Sequence, residues 1–165
     1  MPSVPLTVDD VVLLHEFIVE HGERTEPGVS NRGDIAYALD FVRDGHYGES
    51  PETIHEMGAN LLRLLVANHP SVDGNKRTAL ASTVALYGLN AYELDYNAEV
   101  REILKAFATD EQAVDIAGVV AYLDTHAAPL DEDWRMIFRA VGARTAEEPD
   151  KNQQNDVTPA ERGDK

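Results

Sequence analysis

Residues 69 to 77 read HPSVDGNKR, which brings a histidine, an aspartate, a glycine, an asparagine and two cations into nine positions. Each type has a use in phosphate chemistry. His69 is a group whose ordinary pKa lies near neutrality, so it can take a proton from an incoming hydroxyl. Asp73 offers the carboxylate that Mg²⁺ accepts beside nucleotide phosphates. Gly74 lets backbone approach an anion closely, and Asn75 adds a side-chain amide. Lys76 and Arg77 add full charges, and the guanidinium fork of Arg77 can hold a phosphate bidentately. Taken singly, each has a plainer use: a structural histidine, a helix cap, solvated cations. Taken together they read as a site for phosphoryl or nucleotidyl transfer to a hydroxyl. The residues alone leave open which phosphorus is attacked.

Such a site needs a helix, a short loop and a second helix. Pro51 suits the first turn of the helix before the loop, whose apolar stripe runs Ile54, Gly58, Leu62 and Leu65. His69 falls at the same angular position, which places it on the buried-facing side, and Pro70 ends the helix there. The following helix starts near Gly74 or Asn75, with Asp73 as its cap, and keeps Leu80, Val84 and Tyr87 inside up to Gly88. Its first turn carries backbone N–H groups without intrahelical partners and the positive end of the dipole, so an anion fits there.

The remaining pattern is also helical. Thr7 caps a segment from Val8 to Gly22, and a polar stretch, HGERTEPGVSNRG, follows it. A second helix spans 34 to 43, with Ile35, Ala38, Leu39 and Val42 on one side. Residues 45 to 51 form a loop with room for one short hairpin. Further helices are expected over 97 to 108 and 111 to 125, the latter capped by Asp110. The expected architecture is an all-α bundle of six to seven helices over residues 1 to 128. A C-terminal amphipathic helix over 129 to 142 carries Trp134, Ile137, Phe138 and Val141, and 143 to 165, poor in apolar residues, is expected to be a disordered tail.

Composition narrows the function. Net charge is −16, and residues 143 to 165 account for only −2 of it, so the body is the acidic part. Such a surface repels nucleic acid and anionic lipid, which argues against direct nucleic-acid or membrane binding. Four lysines against ten arginines and thirty acids suggest a cytoplasm of molar salt, where charges are screened within about 3 Å. Cysteine is absent, and with it any thiolate nucleophile or disulfide. The N-terminus shows no signal-peptide pattern and no apolar run reaches membrane-spanning length, so a soluble cytoplasmic protein is expected.

Two other motifs fail on spacing. GNKRT lacks the glycines six residues before and directly before Lys76 that a P-loop requires, because Pro70 and Asn75 stand there. HEFIVEH, residues 15 to 21, separates its histidines by six positions, about 240° around a helix, so it is not a zinc-binding HExxH. His15 and His21 are read as structural or solvated. No role is assigned to His46, His55 or His126.

The string HPSVDGNKRTA resembles the motif of the Fic/Doc family, His-x-Phe-x-Asp/Glu-Gly/Ala-Asn-Gly/Lys-Arg, and its lysine followed by Arg-Thr-Ala looks like the Doc, or death-on-curing, branch. PGVSNRGDIAYAL is similar to that branch's second segment. Leu80 stands where the Fic branch tends to carry a second arginine. The resemblance implies a Fic/Doc helical bundle that uses ATP and Mg²⁺. By position, His69 would be the general base, Asp73 the metal ligand, and Gly74, Asn75, Lys76 and Arg77 the phosphate cradle. Tyr47 falls in the family's target-aligning flap. Lysine at position 76 implies delivery of the γ-phosphate, hence a protein kinase.

The implied substrate is translation elongation factor Tu or its archaeal counterpart, with arrested translation as the outcome. The implied restraint is a separate antitoxin. A Fic-type adenylyltransferase is the alternative, and a weakened nucleotide- or antitoxin-binding regulatory module is another. Two departures bear on activity. Ser71 replaces the motif's aromatic anchor, and Ala67 and Asn68 stand where a basic residue often precedes the histidine. Loss of a core aromatic costs about 3 to 5 kcal/mol unless neighbours fill the space.

Overall fold

The structure, a computed structural model, describes residues 2–147. Among them seven α-helices surround one core: α1 (Val8–His21), α2 (Arg32–Asp44), α3 (Ile54–Ala67), α4 (Asn75–Leu89), α5 (Glu99–Asp110), α6 (Ile116–His126) and α7 (Glu132–Glu147). A 3₁₀ turn, Glu111–Ala113, follows α5. Two short strands, β1 (Tyr92–Leu94) and β2 (Ala127–Pro129), pair antiparallel with Tyr92 opposite Pro129 and Leu94 opposite Ala127. The all-α expectation holds.

The central helix is α3, which packs against α2, α4, α5 and α6. It is buried nearly all round, with Ile54, Met57, Ala59, Leu61, Leu62, Leu64, Leu65 and Val66 in the core. Each fully buried leucine here contributes roughly 1.5 to 3 kcal/mol. Gly58 lets α3 and α4 approach closely, since a Cβ there would lie 2.8 Å from Cε2 of Tyr87. A polar tie joins three helices at the same level. His55 on α3 places Nδ1 2.9 Å from the Tyr87 hydroxyl on α4 and Nε2 3.3 Å from Oδ1 of Asp124 on α6.

Helix starts follow local chemistry. Thr7 caps α1 with a complete capping box, its hydroxyl accepting from Asp10 N–H while the Asp10 carboxylate accepts from Thr7 N–H. A second capping box decides the start of α3. Thr53 and Glu56 form it, so the helix begins at Ile54 and Pro51 stays outside. Asp110 caps only the 3₁₀ turn, and Asp115 caps α6. In the 45 to 51 loop the backbone makes an isolated bridge between His46 and Glu49. The two-stranded sheet was not expected, because three-residue strands are too short to show alternation. The final helix runs past residue 142 to Glu147. Residues 143 to 147 of the expected disordered tail are therefore helical, and its remainder, 148 to 165, lies outside the described residues.

Candidate active site

The loop between α3 and α4 is held by the segment that follows α1. The Pro70 carbonyl accepts from the N–H groups of Ser30 and Asn31 at 2.9 and 3.0 Å and from the Ser30 hydroxyl at 3.1 Å. Val72 N–H donates to the Gly28 carbonyl at 3.0 Å, and Ser71 bridges Val29 antiparallel. Ser71 is buried, and the Asn75 side chain takes both its backbone groups. A backbone ladder thus anchors the loop where the motif's aromatic is missing.

His69 departs from its expected place. The helix ends at Ala67, Asn68 stays helical as its C-cap, and His69 then turns left-handed with φ 47°. That turn takes the ring off the apolar stripe, so His69 is exposed and not on the buried face. It lines a cleft of about 380 Å³ together with Val66, Asp73, Lys76, Arg77 and Ala108.

Gly74 is the N-cap of α4 and adopts φ 75°, ψ 10°, the left-handed region that glycine enters without strain. No side chain caps the first turn. Asp73 is therefore not the cap it was expected to be. Its Oδ1 accepts from Gly74 N–H at 2.6 Å and its Oδ2 from Glu26 N–H at 3.4 Å. These two backbone donors, with help from Arg77 and His15, hold its carboxyl below the usual carboxylate range. It stays ionised through neutral pH.

The expected cradle separates into two roles. Gly74, Lys76 and Arg77 line the cleft, and Lys76 and Arg77 are exposed. The Arg77 guanidinium donates to the Thr25 hydroxyl at 2.7 Å and lies over Gly22, where a Cβ would come within 2.7 Å of Nη1. The Asn75 side chain is committed to Ser71, which leaves only its backbone N–H for an anion. Tyr47 is 95% exposed at the tip of its loop, with φ 51°, and is not among the residues lining the cleft.

One residue of the neighbourhood carried no signal in the motif. His15, on α1, is 1% exposed, and its Nδ1 lies 3.0 Å from the Thr78 hydroxyl on α4. Burial lowers its pKa, against the opposing pull of the Asp73 and Glu16 carboxylates, while Arg77 pushes the same way as burial. The ring is accordingly neutral at pH 7. Sixty-three positions separate the pair, so only the tertiary fold reveals it.

Asp73 suits a Mg²⁺ ion on donor chemistry, being an ionised, part-exposed carboxylate beside the anion-seeking helix end. Among the described residues no group of three or more His, Asp or Glu could enclose a metal. An ion here would take most of its ligands from phosphate and water.

The Fic/DOC family model matches residues 5–87, from before α1 to the inner end of α4, with the whole loop inside the match. The chain belongs to the Fic/DOC family. No curated protein matches it. The family covers Fic-type transferases broadly, so this Fic/DOC domain carries a transferase-type architecture. Among the described residues no helix is long and apolar enough to cross a membrane.

Proposed function

We propose that this Fic/DOC domain is a Doc-type toxin kinase. It transfers the γ-phosphoryl group of ATP to a hydroxyl of translation elongation factor Tu or its archaeal counterpart, in the cytoplasm, and a separate antitoxin restrains it. The observation that carries the reading is Lys76 in the uncapped first turn of α4, beside Arg77, in the cleft that His69 also lines.

The open amides of the first turn and the two cations receive the terminal phosphates. Mg²⁺, when held by Asp73 and phosphate oxygens, would neutralise charge on the triphosphate. The imidazole of His69 takes the proton of the target hydroxyl as its oxygen attacks the γ-phosphorus. The bond from that phosphorus to the β–γ bridging oxygen breaks, ADP leaves, and the target keeps a phosphomonoester. Lysine at 76 and leucine at 80 support γ-transfer over adenylylation, and the backbone ladder on Ser71 supports a loop firm enough for catalysis.

ATP labelled at the α or the γ phosphate, incubated with the protein and an elongation factor, tests the reading. Label from γ is expected on the factor. Label from α would make the protein an adenylyltransferase, and binding without transfer would make it a regulatory module. His69→Ala should abolish transfer while leaving ATP affinity within a few-fold, because the ring's task is proton removal. Lost affinity in a folded variant would put the ring in the cradle instead.

A further inference from the structure

The open amides of α4 require that its first turn be held at a fixed angle; Asn75 ties the turn to the loop through Ser71, and a second hold comes from α1. The Gly74 carbonyl accepts from Thr78 N–H at 2.9 Å, which closes that turn. Thr78 is itself buried, and its hydroxyl meets His15 Nδ1 at 3.0 Å. His15 Cε1 also sits directly behind Gly74, 3.5 Å from where a Cβ would project, with Thr25 Cγ2 beside it at 3.4 Å. One ring on α1 therefore bonds Thr78 at one end of the turn and bounds the space beside Gly74 at the other. Its other nitrogen, Nε2, is buried and makes no hydrogen bond of full geometry, although the Gly28 backbone lies close enough to raise the ring's pKa. An imidazole is costly to bury in this state, and a leucine would fill the core at less cost.

We propose that His15 is a positioning residue for the phosphate site: by bonding Thr78 from beneath, it fixes the first turn of α4 and aims the free amides of residues 75 to 77 at the nucleotide. The inference rests on the nucleotide reading above. His15 acts through Thr78 and Gly74 and touches no substrate. It also explains why a polar residue stands at the α1–α4 contact, which apolar residues could make alone.

The test is titration of the full-length protein with Mg²⁺-ATP, at a temperature where each variant is folded by its thermal midpoint. His15→Leu keeps apolar volume and removes the bond, and Thr78→Val removes the hydroxyl in nearly the same shape. Each is expected to weaken ATP binding about tenfold, the scale of one buried hydrogen bond. Because both cut one bond, the double variant should be no weaker than either single one. His15→Asn places a polar atom near the Nδ1 position and should bind within about threefold of the unaltered protein. A purely structural role would lower the thermal midpoint and leave the affinity of folded protein unchanged. That result, effects that multiply in the double variant, or His15→Asn as weak as His15→Leu would each overturn the proposal. An unaltered protein that takes up no Mg²⁺-ATP would overturn the nucleotide reading itself, and this inference with it.

Discussion

The Asn75 side chain gives Ser71 the two partners that a neighbouring strand would supply. Its Oδ1 accepts from Ser71 N–H at 3.0 Å, and its Nδ2 donates to the Ser71 carbonyl at 2.9 Å. Loop and helix are thereby locked in one register. Asn75→Ala removes both bonds and leaves the buried Ser71 N–H and carbonyl without these partners, at a cost of about 1 to 3 kcal/mol. Urea denaturation should show that loss. A change under about 0.5 kcal/mol would mean that water replaces the amide without penalty.

Gly58 tests the packing that places the two site helices. A Cβ would lie 2.8 Å from Tyr87 Cε2 and 3.3 Å from both Leu123 Cδ1 and Thr83 Cγ2. Gly58→Ala should therefore destabilise the fold by about 1 to 3 kcal/mol, although alanine normally favours a helix. A stabilised variant would show that α3 and α4 can part without cost.

Alkaline stability should depend on Tyr87. Burial raises its pKa, with a further push from the Asp124 carboxylate, so the folded protein resists ionisation that the unfolded chain permits. The folded value exceeds the unfolded one, hence the contribution is full below about pH 10 and falls as pH rises through the folded value. Tyr87→Phe should flatten this alkaline limb and, by removing the His55 partner, lower stability near neutrality. Unfolding free energies between pH 8 and 11 decide it, and parallel curves for the two proteins would reject the assignment.

Salt should stabilise the protein. With net charge −16, self-repulsion opposes folding in dilute buffer, and screening within about 3 Å at molar ionic strength relieves it. The thermal midpoint is expected to rise in molar potassium chloride. An unchanged or lower midpoint would remove the argument for a high-salt cytoplasm.

Much of the site was legible because its information is local. The capping pair Thr7 and Asp10, and the Pro70 and Gly74 that bound the loop before α4, are read from neighbouring residues alone, although the loop itself is held by the distant residues 28 to 31. What escaped was set by tertiary context. Periodicity placed His69 on the buried stripe, but a two-residue helix ending and a left-handed turn redirected the ring, and no periodic rule carries through such a turn. Asp73 resembled a cap until Gly74 took that place. His15 sat among residues that any amphipathic helix could contain, and its meaning depends on Thr78, which the motif does not name. The sheet between β1 and β2 was hidden because its strands are three residues each.

The left-handed backbone of His69 sets its proposed role against durability. A non-glycine residue held at φ 47° carries a penalty on the order of 1 to 3 kcal/mol, and its exposed ring repays little of that by packing. Glycine would relieve the strain where alanine would not. His69→Gly should thus outlast both His69→Ala and the unaltered protein on heating, so the proton-acceptor role proposed for His69 would be held at a cost in stability that a change to glycine would remove.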